Sequence, residues 1–550
     1  MKKINPITRL DYPDPDVIRV GNTYYMVSTT MYFMPGCEIL RSYDLVHWEH
    51  ASYVFERLDS TERQTLSGKE NAYGNGMWAA SLRYHGGIFY VCFVANDTHK
   101  TYLYTSKSIE GPWEKSEISG FYHDNSILFD DDGKIYIVYG NREIHITELD
   151  LEKKAPKDGG LDKVIIKDRD DAPLGYEGAH FYKINGKYYI FFIHIPASSG
   201  KRTESCFVSD KPEGPYYGRD ICDDDRNYRG MGVAQGGIVE SPKGNWYGIF
   251  FQDSGAVGRI PVLVPITWTN LEKENLGPDL LDSNYPFPVV GNNGKIPECF
   301  EIDKLNLSYC YAPLVGSDDF SCKAVPHSSD HKRDSFGLKS FWQFNHEPEL
   351  SLISKCHDDD KKCYIKITTD KLCNNLVQAK NTLTQRCKFP GCRATVSING
   401  ENMKNGDYAG LCILESCYGF IALTKRNDEF FLVMCSREIT EGGFWGERHD
   451  DSAPEELASI KLDSPVAKLT ATVCFDEATA GESFTKFTDG DDTARFSCIP
   501  EGKLAPIKLG PVKKLSFKLD HFTGARFGLF MYSTKETGGS AYFSDFIYET

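Results

Sequence analysis

The feature that most constrains this chain of 550 residues is a motif that returns five times in its first half. It occurs as VIRVGNTYYMV (17–27), SLRYHGGIFYVCFV (81–94), ILFDDDGKIYIVY (127–139), FYKINGKYYIFFI (181–193) and IVESPKGNWYGIFF (238–251). Each copy runs from alternating apolar residues, through a turn containing glycine, into a strand rich in aromatics. A tyrosine stands three residues after the turn glycine every time: Gly21/Tyr24, Gly87/Tyr90, Gly133/Tyr136, Gly186/Tyr189 and Gly244/Tyr247. Asn-Gly and Asp-Gly supply the positive φ that a tight hairpin needs, so each copy is predicted to be a β-hairpin. The turn glycines are 66, 46, 53 and 58 residues apart. That leaves room for about two more strands per unit.

A weaker repeat fills the room. RSYDLVHW (41–48), TSKSIEGPW (105–113) and VSDKPEGPYY (208–217) each place a Ser or Thr at a strand end before a turn and an aromatic. Four strands in each of five units predict a five-bladed β-propeller. A sandwich gives no reason for the Gly-to-Tyr register to recur. After residue 300 the repeat stops, and from Phe341 short alternating strands return without it: CYIKITT, RATVSING, GLCILES, FFLVMCS and KLTATVCF. Their spacing predicts an antiparallel, jelly-roll-like β-sandwich. The expected organisation is all-β, with a propeller over residues 1–310, a linker over 311–334 and a sandwich over 335–550.

Charge narrows the partners. Sixty-two basic residues against 78 acidic ones give a net charge of −16, and no Lys/Arg run supplies a face for phosphates. The longest apolar stretches, such as 188–195, are far too short to span a bilayer. Neither nucleic acid nor membrane is an expected partner. The N-terminus, MKKINPITRL, has no apolar run after its lysines, so the expected location is cytoplasmic unless a leader was removed. Seventeen cysteines are an odd number, and neither CxxC nor a zinc-ligand spacing occurs. Buried thiols are expected, with Cys387/Cys392 and Cys412/Cys417 the pairs that an oxidising compartment would close. The oligomeric state is not legible.

Acids near the start of a blade's innermost strand converge on one mouth of the central tunnel. Asp14 lies in YPDPDVI, where the flanking prolines exclude helix; Asp124 lies in FYHDNSILF ahead of blade three; Glu177 lies in LGYEGAHFY ahead of blade four. Singly, each reads as turn chemistry or a solvated acid. Equivalent positions in three blades point to a shared site.

On these motifs the first half resembles glycoside hydrolase family 43, the β-xylosidases and α-L-arabinofuranosidases. The resemblance rests on PDPDVIRVGNTYYMVST, RSYDLVHW, MWAASLRYHGG, DNSILFDDDGKIYIVYG, YEGAHFYKINGKYYIFF, VAQGGIVESPKGNWYGIFFQD and GAVGRIPVLVPITW. The second half is similar to that family's C-terminal sandwich through FWQFNHEPE, GDYAGLCILESCYGFIAL and ARFGLFMYSTKETGGSAYFSDF. The resemblance implies an inverting, exo-acting hydrolase of xylo-oligosaccharides or arabinoxylan. In such enzymes two carboxyl groups about 6.5–9.5 Å apart act on opposite faces of the sugar. It implies Asp14 as general base, Glu177 as general acid, and Asp124 as the acid whose charge disfavours ionisation of Glu177 and orients it. Asp16 is not a matching position. Arg259 is implied as a contact to sugar hydroxyls and Trp78 as an aromatic wall, with Phe33 and Met31 facing it. Gln235 stands where many relatives carry a His that orders calcium or water. No cofactor is needed for the chemistry and no metal ligands are assigned, although a structural Ca2+ in the tunnel remains compatible with hard oxygen donors. The alternative is a non-catalytic carbohydrate-binding propeller.

Overall fold

The computed structural model describes residues 3–277, 280–303, 308–321, 338–359, 362–438, 452–475 and 492–550. The first half forms five antiparallel sheets of four or five strands in chain order. Their inner strands are Asp16–Val20, Met77–His85, Ser126–Phe129, Leu174–Ile184 and Val233–Glu240. Each inner strand touches those of both neighbouring blades, and the fifth touches the first, so the ring is closed. All five turn glycines have positive φ, from 59° to 84°. Every one faces open space or a single atom at 3.9 Å, so conformation rather than crowding selects glycine there.

The repeated tyrosines lie on the second strands. Tyr24, Tyr136, Tyr189 and Tyr247 are buried between sheets, while Tyr90 is half-buried. The serines of the weaker repeat end the third strands: the hydroxyls of Ser42, Ser106 and Ser209 each accept the backbone N–H two residues on, starting the turn. The N-terminal segment seals blade five. Asn5 donates to Leu263 O and accepts from Leu263 N, at 2.7 and 2.8 Å, and Tyr12 N donates to Arg259 O. On the propeller axis, Asp16 is fully buried. It accepts from Leu82 N and Arg83 Nη1 of blade two and meets His180 Nδ1 of blade four at 3.2 Å.

The second half is a sandwich of two eight-stranded sheets. In Gly391–Asn399 the alternate residues Cys392, Ala394, Val396 and Ile398 point inward, the period-two burial of a half-exposed strand. One sheet is not confined to the second half. Its edge strand is Phe33–Met34, contributed by blade one and paired antiparallel with Gln343–Asn345. Residue 310 is therefore not a seam between independent bodies. Of the linker expected over 311–334, residues 322–334 lie outside the described residues.

Charged groups fasten the halves. Arg386 donates to Glu38 at 2.8 Å and lies over the Tyr12 ring, while Arg229 forms a two-point bridge to Asp492 at 2.6 and 3.2 Å. An apolar cluster of Met31, Tyr32, Phe33 and Tyr73 continues directly into Leu376, Val377, Tyr418 and Phe530 of the sandwich. Cys387, Cys392 and Cys412 are buried thiols without a disulfide. No helix among the described residues is long and apolar enough to cross a membrane.

Candidate active site

The mouth of the tunnel is built from irregular backbone. Asp14 and Asp124 precede their inner strands in the left-handed region, at φ 51° and 48°. Glu177 differs from the expectation that it stands ahead of its strand. It lies within Leu174–Ile184, at a point where the register with Lys187–Ile195 shifts on both sides of it. Gly178 follows at φ 62°. Comparable shifts occur after Trp78 in blade two and around Gln235 in blade five. Such bulges swing a side chain off the sheet face.

Asp14, Asp124, Glu177, Trp78 and Arg259 come together. Arg259 Nη1 donates to Asp14 Oδ1 at 2.9 Å. His123 Nε2 lies 3.8 Å from Asp124 Oδ1 and 3.6 Å from Glu177 Oε2, linking the acids of blades three and four. Asn141 donates to Glu177 Oε2. Burial, helped by the nearby charges of Glu177 and Asp14, pushes the Asp124 carboxyl up to about 7, against the pull of His123. Burial disfavours the charge on His123, but Asp124, Glu177 and Asp14 outweigh it and raise its ring to about 9.

The walls are aromatic. Trp78 lies 6.0 Å from the His123 ring and 5.4 Å from Phe522. Phe522 comes from the sandwich; its ring lies 4.2 Å from the Arg259 guanidinium and its carbonyl accepts from Arg259 Nη2.

Two expected wall residues are placed elsewhere. Phe33 is 1% exposed, and its ring face is occupied by the Arg526 guanidinium at 3.4 Å, so no sugar can rest on it. Met31 is tied to the Trp78 strand by paired backbone bonds with Met77, but its side chain is buried in the cluster between the halves. Gln235 stands behind the site. Its side chain packs so closely on Gly178 that a Cβ there would meet its amide carbon at 2.6 Å. His123 and Phe522 are site residues that sequence reasoning misses.

His123, Asp124 and Glu177 each bring one ligand atom within 4.8 Å of the others, a spacing a metal would accept. Without a metal, the raised His123 ring points N–H donors toward both carboxyls, and the trio forms an ion-pair network.

A family model described as glycosyl hydrolases family 43 matches residues 4–271. Another, described as the beta xylosidase C-terminal concanavalin A-like domain, matches residues 333–549. A xylan 1,3-beta-xylosidase from a Vibrio species is 34% identical over 481 residues, covering 80% of each chain. This chain belongs to glycosyl hydrolase family 43. As a family 43 protein it is a glycoside hydrolase. A non-reducing end alpha-L-arabinofuranosidase from Bacteroides ovatus is 30% identical over 369 residues, covering 62% of this chain and 63% of its own. A solved bifunctional GH43-CE protein from Bacteroides eggerthii superposes with a TM-score of 0.83 at 35% identity. It covers all of this family 43 chain, which spans 63% of that longer protein.

Proposed function

We propose that this family 43 enzyme releases terminal xylose or arabinofuranose from xylo-oligosaccharides or arabinoxylan, with inversion at the anomeric carbon. The observation that carries the reading is the convergence of Asp14, Asp124 and Glu177 from three blades on one mouth walled by Trp78 and Phe522. In this mechanism Asp14, oriented by Arg259, takes a proton from a water as that water attacks the anomeric carbon. Glu177 gives its proton to the departing oxygen, which leaves with the electrons of the broken glycosidic bond. Asp124 stands beside it as the like charge that keeps one proton within the pair. A wall contributed by the sandwich favours a closed pocket over an open groove, which suits release of single terminal sugars. Both xylosidase and arabinofuranosidase relatives support pentose substrates, and we favour activity on both.

Hydrolysis of nitrophenyl xyloside, nitrophenyl arabinofuranoside and the corresponding oligosaccharides by wild type and Glu177→Ala tests the assignment. The expected loss is about 10²–10⁴-fold on oligosaccharides and less on nitrophenyl substrates, whose leaving group needs little protonation. A variant within a few-fold of wild type on oligosaccharides would remove Glu177 from the mechanism. The carbohydrate-binding alternative is not favoured, because binding alone gives no reason to gather all three acids.

A structural calcium ion belongs to this reading, at a carboxylate between blades four and five. Glu204 Oε1 is buried with no hydrogen-bond partner among the described residues, and its other oxygen accepts only from Gln235 N. That carboxylate fits the ion as a hard oxygen donor, with water completing the shell. Glu204 would hold it, and the ion would supply fixed positive charge behind blade five. No step of hydrolysis passes through it.

A further inference from the structure

His123 comes from blade three, immediately before Asp124, and reaches across to Glu177 on blade four. Its side chain is 23% exposed, and its ring lies 6.0 Å from that of Trp78 of blade two. The charged groups around it are few. Asp124 lies on its own segment, Glu177 on blade four and Asp14 on blade one, and all three favour its protonated form. Arg259 of blade five is engaged by Asp14 and the Phe522 carbonyl. Trp78 and Phe522 bring no charge. An imidazole facing three carboxylates carries a proton well past neutrality.

We propose that His123 is a standing imidazolium that sets how tightly the Asp124–Glu177 pair holds its proton, and through it the alkaline edge of the enzyme's pH range. The proposal rests on reading Glu177 as the general acid. His123 is then a positioning residue, acting through the two carboxyls and not on the sugar. Its charge favours the ionised form of Asp124 and so lowers the pH at which the proton held beside Glu177 is given up, relative to a neutral side chain. The charge thus works against the burial and like-charge repulsion that hold the proton in place. The price is an earlier loss of the protonated acid as pH rises. In exchange, the pair cannot take up two protons until the pH is low, which keeps one charge available to orient the acid.

The experiment measures kcat/KM against pH for wild type, His123→Phe and His123→Gln on an unactivated pentose oligosaccharide, with melting curves for each. Removing the cation makes ionisation of the pair costlier, so the alkaline limb is expected to move up by about one pH unit or more in both variants. If His123→Phe does not fold, His123→Gln carries the test alone. An alkaline limb that stays in place or moves down overturns the proposal. So does a Gln variant that keeps the wild-type limb, because hydrogen bonding would then suffice. NMR of ¹⁵N-histidine-labelled protein reads the ring directly. Titration above pH 8 supports the proposal, and titration below pH 7 overturns it even if no pentoside is hydrolysed, in which case the substrate reading fails separately.

Discussion

Glu204 is a residue whose surroundings do not satisfy it. It is fully buried, burial pushes its carboxyl well above the usual carboxylate range, and among the described residues only the Gln235 N–H answers it. A neutral buried carboxyl with an idle oxygen is costly, by about 1–3 kcal/mol for the unmet group. A cation at Oε1 would reverse both the shift and the cost. Wild type is therefore expected to lose several degrees of melting temperature in EGTA and regain them with calcium. Saturating ion at about 100 times its dissociation constant is worth roughly 2.7 kcal/mol. Glu204→Gln should melt at the same temperature with or without calcium. A wild-type melting temperature indifferent to both additions, in protein that metal analysis finds free of calcium, would leave Glu204 as a strained core acid only. At this scale legibility in sequence follows chemistry and position. Asp14, Asp124 and Glu177 stand out because acids recur at equivalent places in a repeat. His123 does not, since one histidine before an aspartate forms no pattern, although its adjacency to Asp124 was the available signal. Asp16, two residues after Asp14 in PDPD, is held on the axis by Arg83 and His180, contacts that join residues far apart in the chain.

Elements explain how the site is aimed. The inner strands carry register shifts at the mouth in blades two, four and five, so the same irregularity that ends regular pairing swings Trp78 and Glu177 off the sheet face. The third strand of blade one, Gly36–Ser42, does other work. It carries Glu38, which is fully buried and meets Arg386 on the sandwich strand Leu383–Arg386 and His50 on its own blade. Burial opposes its charge, yet Arg386 and His50 bring the carboxyl down to about 2. A depressed carboxyl stabilises the fold fully above its unfolded value near 4.5, and that contribution drains away as pH falls from there toward 2. Arg386→Ala leaves a buried carboxylate short of its main partner and should cost about 3–5 kcal/mol near neutrality. Because Glu38 is then less depressed, the variant's melting temperature should fall less steeply between pH 5 and 3 than that of wild type. Parallel slopes would show that Glu38 does not govern acid stability. The hairpins of every blade were legible because turn glycines and period-two alternation are local signals. Phe33–Met34 was not. A strand of two residues has no period, and its partner Gln343–Asn345 lies some three hundred positions further along the chain.

For the molecule as a whole, the propeller alone does not complete the site. The sandwich supplies Phe522, whose ring and carbonyl both engage the arginine that orients Asp14. Close by, Tyr73 of the propeller stacks on His521 at 4.1 Å, and Tyr32 stacks on His346 and hydrogen-bonds Thr523. Cutting the chain after residue 321 would expose Met31, Tyr32, Phe33 and Tyr73 together, a contiguous apolar patch beside the mouth, and would uncover the edge of Phe33–Met34. Such a fragment is expected to aggregate, or, where soluble, to lose at least about 10²-fold in kcat/KM, since small displacements of Arg259 and Asp14 misplace the attacking water. Phe522→Ala in the full chain separates the two causes: it leaves the sandwich over the patch and removes one ring, from the wall and from its contact with Arg259. Its expected signature is a higher KM with a smaller change in kcat, because the ring contacts bound sugar in ground and transition states alike. A soluble propeller with wild-type kcat/KM would show that the mouth is complete without its partner. A Phe522→Ala enzyme that loses kcat at unchanged KM would instead mean that the ring serves Arg259 rather than the sugar. Either result is decided by the residue, since no local pattern in the first 270 positions could have named a wall that the chain delivers only near its end.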